Sequence, residues 1–249
     1  MRSISVKMFL MLICLAVLSA CCFAEGMPDR QDFLTVGNVV TFGNYEQDDD
    51  PDNGPEPIEW IVLDVQDGKC LLLSRYGLDS KPYNTEYTDV TWETCTLRAW
   101  LNGDFLSAAF TEEEQSAILQ TDVDNSKSQG TSETEMDGGN NTLDQIFVLS
   151  WVEAERYLET SFYTVDGPDY PKAQAAPTRY AVAQGAWENE ACLTENGEAA
   201  GWWWLRSPGF EPGTAASINL DGSINTDFIH TDDACIRPVL WLDLDSGIF

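Results

Sequence analysis

The chain has 249 residues. It contains 13 lysines and arginines and 42 aspartates and glutamates, so its formal net charge is −29. A surface this acidic repels nucleic acid and anionic lipid headgroups, which excludes both as partners. The length fits one folded domain, because no segment after the N-terminal region has the composition of a linker.

The first twenty residues have the pattern of a secretion signal peptide. Arg2 and Lys7 make a basic start, and the apolar run over residues 8–18 is too short to cross a bilayer as a helix. The tetrapeptide at 18–21 has the form of a lipobox, in which Cys21 becomes the acylated first residue of a lipoprotein.

Two cleavage positions stay open. Cleavage at the lipobox predicts a lipoprotein, for which the membrane is a partner only through the lipid anchor, and cleavage after Ala24 predicts a secreted protein. Both place the mature chain outside the cytoplasm. Residues 21–35 are polar and without period, which predicts a linker before a domain over residues 36–249.

Four cysteines lie beyond the predicted signal region, at Cys70, Cys95, Cys192 and Cys235. An even number in an exported chain permits disulfides, although the spacing matches no known disulfide framework. If one bond forms, we expect it between Cys192 and Cys235. Cys70 lies in an apolar strand pattern, which predicts a small buried residue.

The domain begins with a predicted meander of three strands. Residues 39–45 form the first strand. Residues 58–65 first alternate in part between apolar and polar side chains and then become apolar, as in a half-covered central strand. Asp67-Gly68 is a tight-turn signal, and residues 70–76 return as the third strand.

The middle of the chain is predicted to be helical. Apolar residues recur at helical spacing over residues 97–108, and capping boxes begin short helices at Thr111 and Ser150. Residues 121–144 have the composition of a long surface loop, and residues 146–149 that of a short buried strand. A further short helix is predicted over residues 177–184, where a proline lies near its start and Gly185 ends it.

The C-terminal block is predicted to contain three short strands. The first, which begins with Trp202, ends at Pro208-Gly209, and the other two are joined through Asp221-Gly222, a strong hairpin signal. The last strand covers residues 236–241. Strands, then helices, then strands again predict an α+β fold and not a parallel α/β sheet.

This block resembles a bacterial family known as domain of unknown function 6273. The resemblance covers nearly all of residues 36–244, and its other specific pieces lie at 41–46, 59–63, 97–102 and 180–186. The family is similar to the C-type-lectin-like superfold, which includes the sulfatase-modifying, formylglycine-generating enzymes and bacterial surface-binding modules. The resemblance implies an N-terminal β-meander, central helices and a C-terminal antiparallel sheet with long loops.

The three consecutive tryptophans at 202–204 give the first hypothesis for a ligand site. In a strand Trp202 and Trp204 point to one face, with Arg206 on their side, and Trp203 points to the other. One face enters the core and the other offers a flat apolar platform, and the candidate ligand-binding residues are Trp203 and Arg206. In the alternative, all three rings pack inside and Arg206 pairs with an acid. We likewise expect Arg237 to form a structural salt bridge.

The loops between the C-terminal strands supply the other candidate ligand-binding residues. They carry Phe210, Phe228, His230 and Asp232, and loops on a rigid scaffold are where binding residues usually lie. The alternative is ordinary loop composition.

An acidic segment after the first strand is the candidate for a metal. Asp48, Asp50 and Asp52 fall on the first, third and fifth positions of a twelve-residue calcium loop, but the sixth position is Asn53 where such a loop needs glycine. Nearby prolines and the lack of flanking helices exclude an EF-hand. A solvated hairpin loop is favoured, and a weak irregular calcium site is the alternative. We expect no other cofactor.

Catalytic signals are weak. His230 is the single histidine, and the chain has no Gly-x-Ser-x-Gly motif. It also lacks a match to the active-site motif of the formylglycine-generating enzymes, and the segment 211–213 departs from the sugar-binding tripeptides of calcium-dependent lectins. The sequence therefore predicts a non-enzymatic recognition protein of the cell surface that binds an extracellular protein or glycan. The alternatives are a distant relative of the formylglycine-generating enzymes and a structural envelope protein with no small ligand.

Overall fold

A computed structural model of the chain describes residues 29–130 and 136–248. The predicted signal peptide, the lipidation of Cys21 and the cleavage after Ala24 lie outside these residues. No helix in the two described ranges is long and apolar enough to cross a membrane.

The end of the predicted linker is part of the folded domain. Residues Arg30–Leu34 form a 3-10 helix, in which Asp29 caps the backbone amide of Gln31 at 3.0 Å. Phe33 is fully buried in the core. The linker prediction is therefore wrong for this part, because Phe33 and, in part, Leu34 pack against the core.

Most of the regular structure is β. The strands of the described residues are β1 (Val39–Tyr45), β2 (Glu56–Gln66), β3 (Lys69–Ser74), β4 (Asp79–Ser80), β5 (Thr121–Val123), β6 (Thr142–Asp144), β7 (Glu188–Leu193), β8 (Ala199–Gly201), β9 (Trp203–Pro208), β10 (Thr214–Ile218), β11 (Ile224–Phe228), β12 (Cys235–Ile236) and β13 (Val239–Asp243).

The helices of the two described ranges are few and short. They are α1 (Thr96–Trp100), α2 (Leu106–Ala109), α3 (Glu112–Ala117), α4 (Trp151–Leu158) and α5 (Arg179–Ala183), with a π-helical segment (Leu101–Phe105) between α1 and α2 and a 3-10 turn (Lys127–Gln129). The capping boxes that begin α3 and α4 at Thr111 and Ser150 are confirmed. The fold is thus α+β, with β-structure dominant.

The predicted N-terminal meander is confirmed, and it gains a fourth strand. The sheet order is β1-β2-β3-β13, and all neighbours are antiparallel. Asp67 and Gly68 both adopt positive φ, 49° and 76°, as a tight hairpin turn with right-handed strand twist requires. Strand β13 pairs Leu240 with Leu72, so the end of the chain completes the first sheet.

The second sheet contains the C-terminal block, in the order β11-β10-β9-β12-β4. The Asp221-Gly222 turn is confirmed, but it joins β10 to β11, and β11 includes residues that were predicted to be loop. The predicted strand over 236–241 is also wrong. It is divided between β12 in the second sheet and β13 in the first, because Pro238 has no amide to donate to a ladder.

Two smaller expectations about the middle of the chain are also corrected. Residues 121–144 contain the ribbon of β5 and β6, whose pairs include Asp122 and Leu143. Residues 146–149 form no regular strand, and Phe147 makes a single bridge to Val239. These short pairings depend on tertiary neighbours and leave no periodic pattern in the sequence.

Candidate ligand-binding site

The tryptophan triplet lies in the core of the second sheet. Trp203 and Trp204 are fully buried, and Trp202 is 7 % exposed. The indole N–H of Trp203 donates to the carbonyl of Ala173 at 3.0 Å, and that of Trp204 donates to the carbonyl of Lys81 at 3.1 Å. The expectation that Trp203 offers an exposed platform is therefore wrong, because both faces of β9 are covered.

Arg206 is also buried and anchors helix α4. Its guanidinium pairs with both carboxylate oxygens of Glu153, one of them at 2.9 Å, and donates to the carbonyls of Val148 and Asp124. Burial alone would raise the pKa of Glu153, but the Arg206 charge and hydrogen bonds and the Ser150 amide hold it below its ordinary value. Arg206 is thus not available to a ligand, and the alternative of an acid partner is confirmed.

Arg237 is buried without a carboxylate partner within the described ranges. Its guanidinium donates to the carbonyl of Ser74 at 2.9 and 3.0 Å and lies 4.7 Å from the ring centre of Trp203. Burial lowers the pKa of Arg237, although an arginine stays charged at neutral pH. The expected salt bridge is wrong, because backbone carbonyls and an indole ring take its place.

The four cysteines of the described residues are free thiols, so the pairing of Cys192 with Cys235, expected if any disulfide forms, is absent. Cys235 is buried, and a Cβ placed on Gly201 would lie 2.7 Å from its sulfur, which shows how closely the backbone encloses the thiol. Burial raises the pKa of Cys235 and of Cys95 to about 12. Neither is suited to act as a nucleophile, because the thiolate is the reactive form.

The structure brings two of the predicted loop residues together with one that the sequence did not single out. Phe228 and His230 lie beside Tyr87. The ring centres of Tyr87 and His230 are 4.9 Å apart, and Phe228 lies 6.0 Å from each of them. All three side chains are exposed. We call Tyr87, Phe228 and His230 the rim cluster. No local pattern could indicate Tyr87, because it comes from the segment after β4.

The other two predicted loop residues make different contacts. Phe210 is 39 % exposed and packs its ring against Phe162 at 5.3 Å and against Trp151 at 6.0 Å. Asp232 is exposed, and its backbone carbonyl accepts a hydrogen bond from the Ser80 hydroxyl at 2.9 Å.

An open pocket of about 310 Å³ lies at the turn between β10 and β11. We call it the turn pocket. It is lined by Trp187, Cys192, Trp202, Asn219, Leu220, Asp221 and Asp227. The sequence pointed to this region through the tryptophans and the Asp-Gly turn, but not to Trp187.

The turn that forms the floor of this pocket is held firmly. Each of its three carbonyls accepts a hydrogen bond. The carbonyl of Leu220 accepts from the side chain of Gln174 at 2.8 Å, that of Asp221 from the amide of Tyr170 at 2.7 Å, and that of Gly222 from the hydroxyl of Thr160 at 2.5 Å. Gly222 adopts a φ of 81°, and a Cβ there would lie 2.1 Å from the carbonyl oxygen of Tyr170. The part of the pocket formed by this turn is therefore preorganised.

A second pocket of about 350 Å³ opens between the first sheet and helix α4. Its lining mixes apolar residues such as Ile61 with charges of both signs. Its two cations are already paired, Arg75 with Glu59 at 2.7 Å and Lys172 with Glu159 at 2.5 Å. This mixed lining does not select one class of ligand.

The acidic segment after β1 forms a hydrogen-bonded turn. Asp48 accepts from the amide of Asp50 and from the side chain of Asn53, and Asp50 accepts from the amide of Asp52. Within the two described ranges, one group of three acidic residues is close enough to share a metal ion. It consists of Glu46, Asp48 and Glu56, each of which has a carboxylate oxygen within 4.8 Å of the other two. Of the three predicted ligands, only Asp48 thus belongs to such a group. A weak calcium site stays a prediction, and titration calorimetry with millimolar Ca²⁺ would test it.

Comparison with known proteins gives one result that bears on identity. The model of the family described as Domain of unknown function (DUF6273) matches residues 67–244. No curated protein and no solved structure matches the chain. The match covers more than half of the chain and includes the rim cluster and the turn pocket. The chain therefore belongs to the DUF6273 family.

Proposed function

We propose that this member of the DUF6273 family is a non-enzymatic recognition protein outside the cytoplasm, either lipid-anchored at Cys21 or secreted. It binds an extracellular protein or glycan through the loops around the second sheet. The rim cluster of Tyr87, Phe228 and His230 is the observation that carries this proposal. Adjacent exposed aromatic side chains on a rigid support are typical of binding surfaces.

The support beneath the rim cluster is well defined. Phe228 pairs with Thr214 at the end of the β10–β11 ladder, and the amide of Ile229 donates to the carbonyl of Gly213 at 3.0 Å. Tyr87 lies directly over Gly213, where an added Cβ would approach its ring to 2.8 Å. Aromatic side chains held in this way lose little conformational entropy on binding, which favours them as interface anchors.

We also propose that the scaffold is C-type-lectin-like. Two features of the architecture support this assignment: the N-terminal meander with the helices that follow it, and the C-terminal strands separated by loops at 209–213 and 229–234. The expectation of a purely antiparallel C-terminal sheet is wrong, because β9, β10 and β11 are antiparallel but β12 pairs parallel with β9. In that superfold, loops of this kind carry the binding residues of surface modules. The proposed function does not depend on this assignment, because it rests on the exposed side chains themselves.

The two alternatives have less support. An enzyme related to the formylglycine-generating group would need an accessible cysteine pair, whereas Cys235 is buried with a raised pKa. A structural envelope protein with no small ligand would have neither a pocket nor an exposed aromatic cluster, and the described part of the chain has both.

Binding arrays test the proposal. The purified mature protein is applied to glycan arrays and to arrays of extracellular proteins, together with a Tyr87→Ala/Phe228→Ala variant. Tyr163→Ala is the matched control, because Tyr163 is also exposed, at 44 %, and lies outside the rim cluster. We expect binding by the wild type and the control and loss of binding in the double variant. Equal binding by all three proteins would contradict the role of the rim cluster.

A further inference from the structure

The turn pocket combines two indole rings and two carboxylates in one open cavity of about 310 Å³, with no basic side chain in its lining. We infer that it is a binding site for a small organic cation with an alkylammonium group, recognised by Trp187, Trp202, Asp221 and Asp227. This site is separate from the rim cluster, so the inference does not rest on the proposed function.

The carboxylates are fixed in place and keep acceptor capacity. One oxygen of Asp221 accepts from the amide of Ser223 at 2.9 Å and from its hydroxyl at 2.6 Å. One oxygen of Asp227 accepts from the hydroxyl of Ser217 at 2.5 Å. The hydrogen bonds found in the described ranges engage only that one oxygen of each carboxylate. Each group thus keeps a second oxygen for a cation, as an acceptor for an N–H or as a negative charge beside a quaternary ammonium.

The strand register explains why these groups lie together. Ser217 pairs with Trp204 on one side and with Asn225 on the other, so the three side chains share one face of the sheet. Trp202 lies two residues before Trp204, and Asp227 lies two residues after Asn225. Because side chains two residues apart in a strand point the same way, both lie on this same face. The β10–β11 turn then brings Asp221 to the open end of that face.

The electrostatic surroundings favour a cation. Neither Asp221 nor Asp227 belongs to an ion pair within the described ranges. Asp233, whose carbonyl accepts from the amide of Trp187 at 2.9 Å, adds a further acid beside the pocket. Burial raises the pKa of Asp233, and the charges of Asp232 and Asp227 raise it further. A bound cation would relieve this concentration of negative charge, whereas an anion would be repelled.

The indole rings supply the second half of the recognition. Trp187 is 48 % exposed, and Trp202 is fixed edge to face against Trp204 with ring centres 5.0 Å apart. Indole is the aromatic ring that attracts cations most strongly, and an alkylammonium also has apolar surface to place against it. The pocket is near the small end of the usual range for ligand sites, about 300–1,000 Å³, so the ligand is small or is one side chain of a larger molecule.

Calorimetric titration of the purified mature protein tests this site with two pairs of probes. Choline is compared with its uncharged isostere 3,3-dimethylbutan-1-ol, which has the same shape without the charge. The amide of Nα-acetyl-lysine, a chain-borne ammonium, is compared with that of Nα-acetyl-norleucine. We expect each cation to bind and each neutral partner to bind at least about tenfold more weakly, because a hydrogen bond or contact to a charge is worth roughly one such factor. The stronger of the two cations identifies the source of the ammonium.

The variants locate the site. Asp221→Asn/Asp227→Asn keeps the hydrogen-bond acceptors for Ser223 and Ser217 but removes both charges, and Trp187→Ala removes an exposed ring without opening the core. We expect each variant to weaken cation binding about tenfold or more. Asp122→Asn, an exposed acid on β5 outside the pocket lining, is the matched control and should bind as the wild type does.

Three results would overturn the inference: no cation binds, the neutral isosteres bind as well as the cations, or binding survives in the variants. If the double variant fails to fold, as judged by circular dichroism, Trp187→Ala and the isostere comparison still decide whether the turn pocket binds the cation. The Phe228→Ala variant of the rim cluster should bind the cation normally, so failure of this site and failure of the proposed function are distinguishable.

Discussion

Replacing Glu153 by glutamine removes the negative charge that balances buried Arg206 while it keeps an acceptor for the cap of helix α4. Loss of one partner of a buried ion pair costs about 3–5 kcal/mol. The Glu153 side chain is 28 % exposed, and the carbonyls of Val148 and Asp124 still accept from Arg206, so we expect the lower end of that range. A loss of about 3 kcal/mol lowers the Tm of a domain of this size by roughly 6–12 °C.

Urea unfolding and calorimetry at pH 7 measure this change. Glu155→Gln is the matched control on the same helix, because Glu155 is exposed and accepts one hydrogen bond, from the indole N–H of Trp151 at 3.0 Å. We expect the control to lose less than about 1 kcal/mol. A Glu153→Gln protein as stable as the control would refute the assignment of the Arg206–Glu153 pair as a structural anchor.

The same variant has a defined dependence on pH. The pKa of Glu153 is lower in the folded protein than the ordinary value of about 4.3, so its charge stabilises the fold above that value. The contribution disappears as pH falls through the folded-state pKa. The stability difference between wild type and Glu153→Gln should therefore be largest at neutral pH and shrink below about pH 4. A difference that stays constant down to pH 3 would show that the carboxylate charge is not its source.

Three further predictions concern the core, the rim cluster and the thiols. Trp203→Ala should destabilise the protein by about 3–5 kcal/mol in urea unfolding, because it opens a cavity in the second sheet, and a loss below 1 kcal/mol would contradict the burial described above. Gly213→Ala should cost about 1 kcal/mol or more and displace Tyr87, since Gly213 has a φ of 76°. Binding to the partner of the rim cluster should fall with it, and unchanged binding would argue against that geometry. In alkylation followed by mass spectrometry at pH 8, Cys192 should react before Cys235, whose thiol is enclosed. Equal rates would contradict this order.

Local signals in the sequence determined several elements correctly. The turns at Asp67-Gly68 and Asp221-Gly222 and the helix starts at Thr111 and Ser150 all formed where the residue pattern predicts them. Each depends on interactions between residues at most a few positions apart, such as a positive φ at glycine or a side chain that caps a nearby amide. The meander and the α+β class follow from the same short-range patterns.

Tertiary structure alone decided which side chains are available for binding. The alternation at 202–204 predicts two faces for the tryptophans, but only the packed sheet shows that both faces are covered and that Trp203 is buried. Arg206 has its carboxylate on a helix 53 positions away in the chain. Tyr87 joins Phe228 in the rim cluster from a distant segment of the chain, between β4 and the central helices. Sequence patterns describe neighbours along the chain, whereas burial and site geometry depend on contacts between distant segments.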